Sequence, residues 1–248
     1  MITLYRPSGY DSPRASSFAG RSVDDKPLDV ENGSSFKEID TGRVFRYDKE
    51  NNLWIEQKNT TGGGGATEPY IEETYDADGN LIGAKMYGYT KVRDYAFYGC
   101  TSLALTSLPE GLTSIGEGAF VGCSNLALTS LPEGLTSIGE GAFVGCSNLA
   151  LTSLPAGVTS IGIEAFVNCT SLALTSLPEG LTSIGEGAFA NCTSLTSITF
   201  KSTPTTITSG AFNGCTNLTD IKVPWAEGAV SGAPWGTTNA TITYNYTE

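Results

Sequence analysis

The chain has 248 residues, no histidine, and 26 acidic against 14 basic side chains, for a net charge of −12. That balance argues against wrapping nucleic acid or lying on an anionic membrane, and the missing histidine removes Ser-His-Asp triads, Cys-His pairs and His-bearing zinc sites. No stretch approaches the ~18 apolar residues of a membrane span, and residues 1–8 lack the basic and apolar run of a secretory signal.

Residues 1–35 are poor in apolar side chains and hold Arg6, Arg14 and Arg21. They read as an extended anchoring arm, with the three arginines as candidate contacts to a partner. In residues 36–60, Phe36–Ile39, Val44–Tyr47 and Leu53–Ile55 are strand-like and joined by polar turns, which predicts a small β-meander. Residues 61–66 contain four consecutive glycines, Gly62 to Gly65, and read as a flexible linker. Residues 67–95 are expected to form a hairpin that caps the first coil of a repeat, turning at Asp78-Gly79. Asp76-Ala77-Asp78-Gly79-Asn80 is not a calcium loop of the EF-hand type, because its glycine comes two residues too early.

Residues 96–233 are that repeat. Cys100, Cys123, Cys146, Cys169, Cys192 and Cys215 succeed one another at intervals of 23 residues. Phe97 and its five equivalents up to Phe212 keep the same period, as do Leu103 to Leu218 and Ile115 to Ile207. A fixed period of this length means stacked coils, none of which buries its apolar face alone. Within a coil, Phe97, Cys100 and Leu103 are three apart, which predicts a short helical or 3₁₀ piece. Leu105 and Leu108 suit an extended segment broken by Pro109 and Gly111, and Leu112 and Ile115 lead into a turn at Gly116. The expected fold is therefore a repeat solenoid of six coils, each with a short strand and a short helical piece, preceded by a small all-β module.

Several columns of this repeat are candidate sites. The six cysteines read as a core ladder of buried thiols, since side chains at one repeated position all point inward and no Cys-x-x-Cys pair exists to hold zinc. Glu110, Glu133 and Glu179 form one carboxylate column and Glu117, Glu140 and Glu186 another. Ala156 and Ile163 interrupt them, so they read as solvated turn residues and neither a metal nor a catalytic role is assigned. Thr106-Ser107, Thr129-Ser130, Thr152-Ser153 and Thr175-Ser176 form a uniform hydroxyl ladder without aromatic or arginine anchors. Residues 234–248 read as a carboxy-terminal strand cap; Trp225, Trp235, Tyr244 and Tyr246 either complete that cap or form an aromatic contact patch at the tip. No cofactor is implied.

The unit Ala-Phe-x-x-Cys-x-x-Leu followed by Leu-Pro-x-x-Leu/Val-x-x-Ile-Gly resembles the BspA-like class of bacterial leucine-rich repeats over residues 96–223. That resemblance implies surface adhesion or recognition and no catalysis. Leu105-Thr106-Ser107-Leu108 departs from the Ile-Thr-Ile usual in the family, to which Ile198-Thr199-Phe200 returns, so the strand register of the first four coils stays open. Asn32 to Asp48, ending near Leu53-Trp54, is similar to small amino-terminal modules of phage head-fibre and tail structural proteins. The carboxy-terminal segment resembles caps on repeat proteins of gut Firmicutes and their phages. Together these imply a virion surface protein, made in the host cytoplasm without a signal peptide. Its amino-terminal part would dock on phage capsid or tail proteins and its solenoid or tip on a bacterial surface glycan or protein. The alternative is a bacterial BspA-like adhesin lacking its export signal. Fibres are often trimeric, so a homo-oligomer is a further expectation, although no coiled-coil heptad supports it.

Overall fold

The computed structural model describes residues 69–247 and, before them, the backbone of five strands. The chain forms two compact units, Met1–Tyr70 with Tyr75–Asn80, and Ile71–Thr74 with Leu81–Glu248.

In the first unit, β1 (Thr3–Tyr5), β2 (Ser17–Gly20), β3 (Ser35–Glu38), β4 (Val44–Asp48) and β5 (Leu53–Gln57) form one sheet in chain order. β2 and β3 run parallel and the other neighbours antiparallel. The three-stranded meander expected from residues 36–60 is β3 to β5. The segment read as an extended arm contributes β1 and β2 to the same sheet, because Phe18 and Ala19 supply a short strand that pairs with Phe36 and Lys37. Arg6, Arg14, Arg21 and the glycine linker lie outside the described residues.

The tip of a hairpin, Tyr75–Asn80, closes on one carboxylate. Asp76 Oδ1 accepts the N–H groups of Asp78 at 3.0 Å and Asn80 at 2.8 Å, and Oδ2 accepts the Asn80 amide at 2.9 Å. The Asn80 side-chain and backbone donors hold the Asp76 carboxyl below its ordinary range. The carboxylate is used in the turn, with Gly79 at φ 81°.

β6 (Tyr70–Tyr75) and β7 (Leu81–Tyr87) are the arms of this hairpin. The Ala104 N–H donates to Ile82 O at 3.0 Å, as Ala127 does to Leu105 one coil later, so β7 takes the place of a preceding coil. Its Ala84 and Met86 are buried and close that end of the core.

Ten short strands make up the rest: β8 (Lys91–Val92), β9 (Ser114–Ile115), β10 (Ser137–Ile138), β11 (Ser160–Ile161), β12 (Ser176–Leu177), β13 (Ser183–Ile184), β14 (Ser197–Phe200), β15 (Thr206–Ile207), β16 (Asp220–Lys222) and β17 (Thr241–Thr243). β8, β9, β10, β11, β13 and β15 stack as a parallel sheet whose register advances one repeat per strand, Ser137 opposite Ser160 and Ile138 opposite Ile161. β12, β14, β16 and β17 form a second parallel sheet on another side. The result is a solenoid of about seven coils, one more than the six cysteine motifs suggested, because residues 219–243 complete a further turn.

The register left open in the first four coils is now clear. Leu105 and Leu108 both point inward, with Thr106 and Ser107 outward between them. Two consecutive outward residues break the period of two that a strand requires. One backbone bond per step survives there, Ala127 N to Leu105 O at 3.1 Å and Ala150 N to Leu128 O at 3.2 Å, and no strand forms until β12. Ile198 and Phe200 restore the alternation, and a regular ladder continues through β14, β16 and β17.

The helical piece expected at Phe-x-x-Cys is absent; the segment is a spiral of turns. N–H groups alternate between two acceptors: Gly118, Phe120 and Gly122 donate to the next coil, whereas Val121 and Cys123 donate three residues back. Gly118 and Gly122 are left-handed, at φ 56° and 72°, which no α or 3₁₀ helix accepts. Three-residue apolar spacing serves a helix and this spiral equally well, which is why spacing alone misled.

Glu164 stands where neighbouring coils have glycine and keeps φ 54°. Glu164→Gly should therefore relieve strain of about 1–2 kcal/mol less the entropy that glycine adds to the unfolded chain, a net gain below about 1 kcal/mol. A melting temperature raised by about 2 °C in calorimetry is the expected reading.

Candidate binding surfaces of the solenoid

The interior is apolar and stacked. Phe97, Phe120, Phe143, Phe166, Phe189 and Phe212 lie face to face, with ring centroids 5.2–5.5 Å apart and planes within 8°. Beside them run the cysteines, none in a disulfide; all are buried except the half-buried Cys100 at the end of the column. Each inner thiol donates to a phenylalanine carbonyl one coil back, Cys146 Sγ to Phe120 O at 3.1 Å and Cys169 Sγ to Phe143 O at 3.1 Å. Burial pushes the Cys146 thiol up to about 12 and Cys215 to about 11, and raises Cys169 and Cys192 well above the ordinary range. Such thiols are packing groups without nucleophilic character.

This has a pH consequence. A thiol whose folded pKa is raised contributes stability that is intact below its unfolded pKa, near 9, and is lost as pH rises through the folded value. Between pH 9 and 11 the folding constant should fall with pH, and Cys146→Ala should reduce that slope by about one proton relative to the parent. Urea titrations of both proteins across this range provide the check.

The outward columns lie outside the apolar core. Glu110, Glu133 and Glu179 are exposed, as are Glu117, Glu140 and Glu186, with Ala156 and Ile163 interrupting the two columns on the surface. Among the described residues, no group of three His, Cys, Asp or Glu side chains is placed to hold a metal ion. Thr106-Ser107, Thr129-Ser130 and Thr152-Ser153 are fully outward, and Thr175 continues the row. A separate threonine column is structural: Thr113 donates both its N–H, at 2.8 Å, and its hydroxyl, at 3.0 Å, to Thr90 O, and Thr136 and Thr182 repeat the pattern.

At the carboxy-terminal end the aromatic residues are not gathered on the surface. Trp235 is fully buried and Trp225 is 5% exposed. Trp235 O accepts the Phe212 N–H at 3.0 Å, where Ala211 O accepts Phe189 in the coil before. Its indole donates to Ser231 O at 2.9 Å. Trp225 meets Phe200 edge-on at 5.2 Å. The last coil leaves a phenylalanine face and backbone donors with no coil beyond them, and the two tryptophans close that end. Tyr244 is half-buried against the core, and Tyr246 is half-buried with the Lys222 ammonium 5.1 Å from its ring centre. A patch made of all four is therefore not what this end presents.

The exposed large apolar side chains of the solenoid unit are instead Tyr87, Tyr95, Tyr98 and Ile163. Tyr95 and Tyr98 escape a reading guided by the repeat, since they stand where the consensus has glycine and valine. The signal was present as a departure of the first coil from Gly118 and Val121.

Stacked 23-residue coils with phenylalanine, cysteine, leucine and isoleucine columns define a leucine-rich-repeat solenoid. The BspA type leucine rich repeat region matches in six copies over residues 90–219, and the chain belongs to that family. Among solved structures it is similar to the leucine rich repeat protein of T. pallidum, with 31% identity, 62% of this chain and 81% of that one covered, and a TM-score of 0.47. It is similar also to a leucine-rich repeat protein of Bacteroides ovatus, with 29% identity, 61% and 45% covered, and a TM-score of 0.47. The pneumococcal vaccine antigen PcpA is similar at 22% identity, with 68% and 43% covered and a TM-score of 0.49. The chain thus spans less than half the length of the latter two. No curated protein matches the sequence.

Proposed function

We propose that this chain is a non-enzymatic surface-display protein whose leucine-rich-repeat rod attaches to bacterial surfaces. In the finer form of this reading, residues 1–60 mount it on a bacteriophage particle as a head-fibre, decoration or tail-fibre protein. The observation that carries the first part is the division of labour in each coil. The phenylalanine column, the inner cysteines and the isoleucine column from Ile115 to Ile207 are spent on the core, while hydroxyl and carboxylate columns repeat along the outside. A rod of this kind offers an extended surface for contact and no histidine for acid–base work. Support for the phage mount is the wording of residues 32–54, similar to amino-terminal modules of phage structural proteins. A bacterial cell-surface adhesin is the second reading, favoured by membership in the BspA-type family.

Fractionation separates the two. With an antibody against the full chain, a lysed source culture is divided into density-banded particles and cell walls. Signal in the particle band supports the virion mount. Signal confined to the walls replaces it with the adhesin reading, and signal in neither fraction sinks both.

A further inference from the structure

The first coil breaks the repeat at two positions on its turn side. Tyr95 stands where later coils hold Gly118, Gly141 and Gly187, and Tyr98 where they hold Val121, Val144 and Val167. Tyr95 keeps the left-handed backbone of that position, at φ 55°, where a residue with a side chain is strained. Core packing does not require this, since Phe97 already fills the coil's place in the aromatic column. Tyr95 is 52% exposed and Tyr98 40%, with ring centroids 6.1 Å apart and planes at 57°.

The Tyr95 ring is nevertheless held. A Cβ added to Gly118 would stand 2.5 Å from Tyr95 Cε1, so the ring rests against the backbone of the next coil. Its hydroxyl donates to Glu117 Oε1, and the Glu117 N–H donates to Asp94 Oδ1 at 3.0 Å. Part of the aromatic surface is thus fixed against the rod while more than half of the residue faces solvent, with two exposed carboxylates beside it.

We infer that Tyr95 and Tyr98 form a stacking platform for a neutral pyranose of a bacterial surface glycan, with Asp94 and Glu117 accepting hydrogen bonds from its hydroxyls. This rests on the proposed attachment to bacterial surfaces and names the ligand class. A pyranose has a C–H face that packs on an aromatic ring and a hydroxyl rim that donates to carboxylates. A ring already immobilised loses little freedom on binding. The two carboxylates and the net charge of −12 repel phosphate-rich or uronate-rich polymers, which selects neutral sugars. An apolar peptide over the same rings would bury Asp94 and Glu117 without donors.

The test uses the full chain and the variant Tyr95→Gly/Tyr98→Val, which installs the residues that later coils carry at these positions. The probes are immobilised neutral bacterial polysaccharides, with teichoic acid as the anionic control. Expected is saturable binding to a neutral probe that weakens about tenfold or more in the variant, while its melting temperature is unchanged or higher. Equal binding by parent and variant overturns the inference, as does binding by the parent to the anionic control alone. Adhesion to whole cells without any neutral glycan bound overturns it and leaves the adhesive reading standing. Adhesion to neither cells nor glycans overturns both.

Discussion

Gly162→Ala is expected to destabilise the rod by at least about 3 kcal/mol, at the upper end of what overpacking costs. Gly162 belongs to a column with Gly116, Gly139 and Gly185 in which the backbones of successive coils touch. A Cβ there would stand 2.6 Å from Glu140 N, 2.6 Å from Gly139 C and 2.7 Å from Gly139 O. All three are backbone atoms of the preceding coil, so no rotamer change makes room and the two coils must part. Gly180→Ala is the matched control, because its Cβ meets only Ala156 O at 3.7 Å. That change should be neutral or stabilise by less than about 1 kcal/mol through the unfolded chain. Urea midpoints with unchanged slopes would give both numbers. A Gly162→Ala protein as stable as the parent would mean that the coils do not pack at this distance.

Phe143→Ala should cost about 3–5 kcal/mol and, beyond that, uncouple the two halves of the rod. The Phe143 ring is fully buried between Phe120 at 5.4 Å and Phe166 at 5.3 Å, with planes within 8° of both. In a solenoid each coil is stabilised by its neighbours, so a hole in one coil weakens two interfaces at once. Calorimetry of the variant should show two transitions where the parent shows one. A single transition displaced by less than the shift for about 1 kcal/mol would contradict the stacked core.

The period and the four apolar columns were legible in the sequence because a repeat prints its burial pattern once per coil. Inward cysteine could be read for the same reason, as one position copied through every coil has one environment. Backbone handedness was not legible from spacing. Phe97, Cys100 and Leu103 suit a helix by their intervals, and the pairs Gly118 with Gly122, Gly141 with Gly145 and Gly210 with Gly214, four apart, are what point to a left-handed turn spiral. The role of Trp225 and Trp235 depends on long-range closure. A lone tryptophan near a terminus looks the same in sequence whether it is a surface anchor or the lid on a stack of rings. Tyr95 and Tyr98 were missed for a third reason. A consensus directs attention to what recurs, and their meaning lies in being the coil that does not match.

Whether the rod is a contact surface for bacteria is decided by saturable binding of the labelled full chain to intact cells, read together with hydrogen-exchange protection. Saturation is expected, with new protection confined to outward positions of residues 85–200 and none gained by the core columns. Absence of saturable binding to any cell tested, or protection appearing only in residues 1–60, would contradict it.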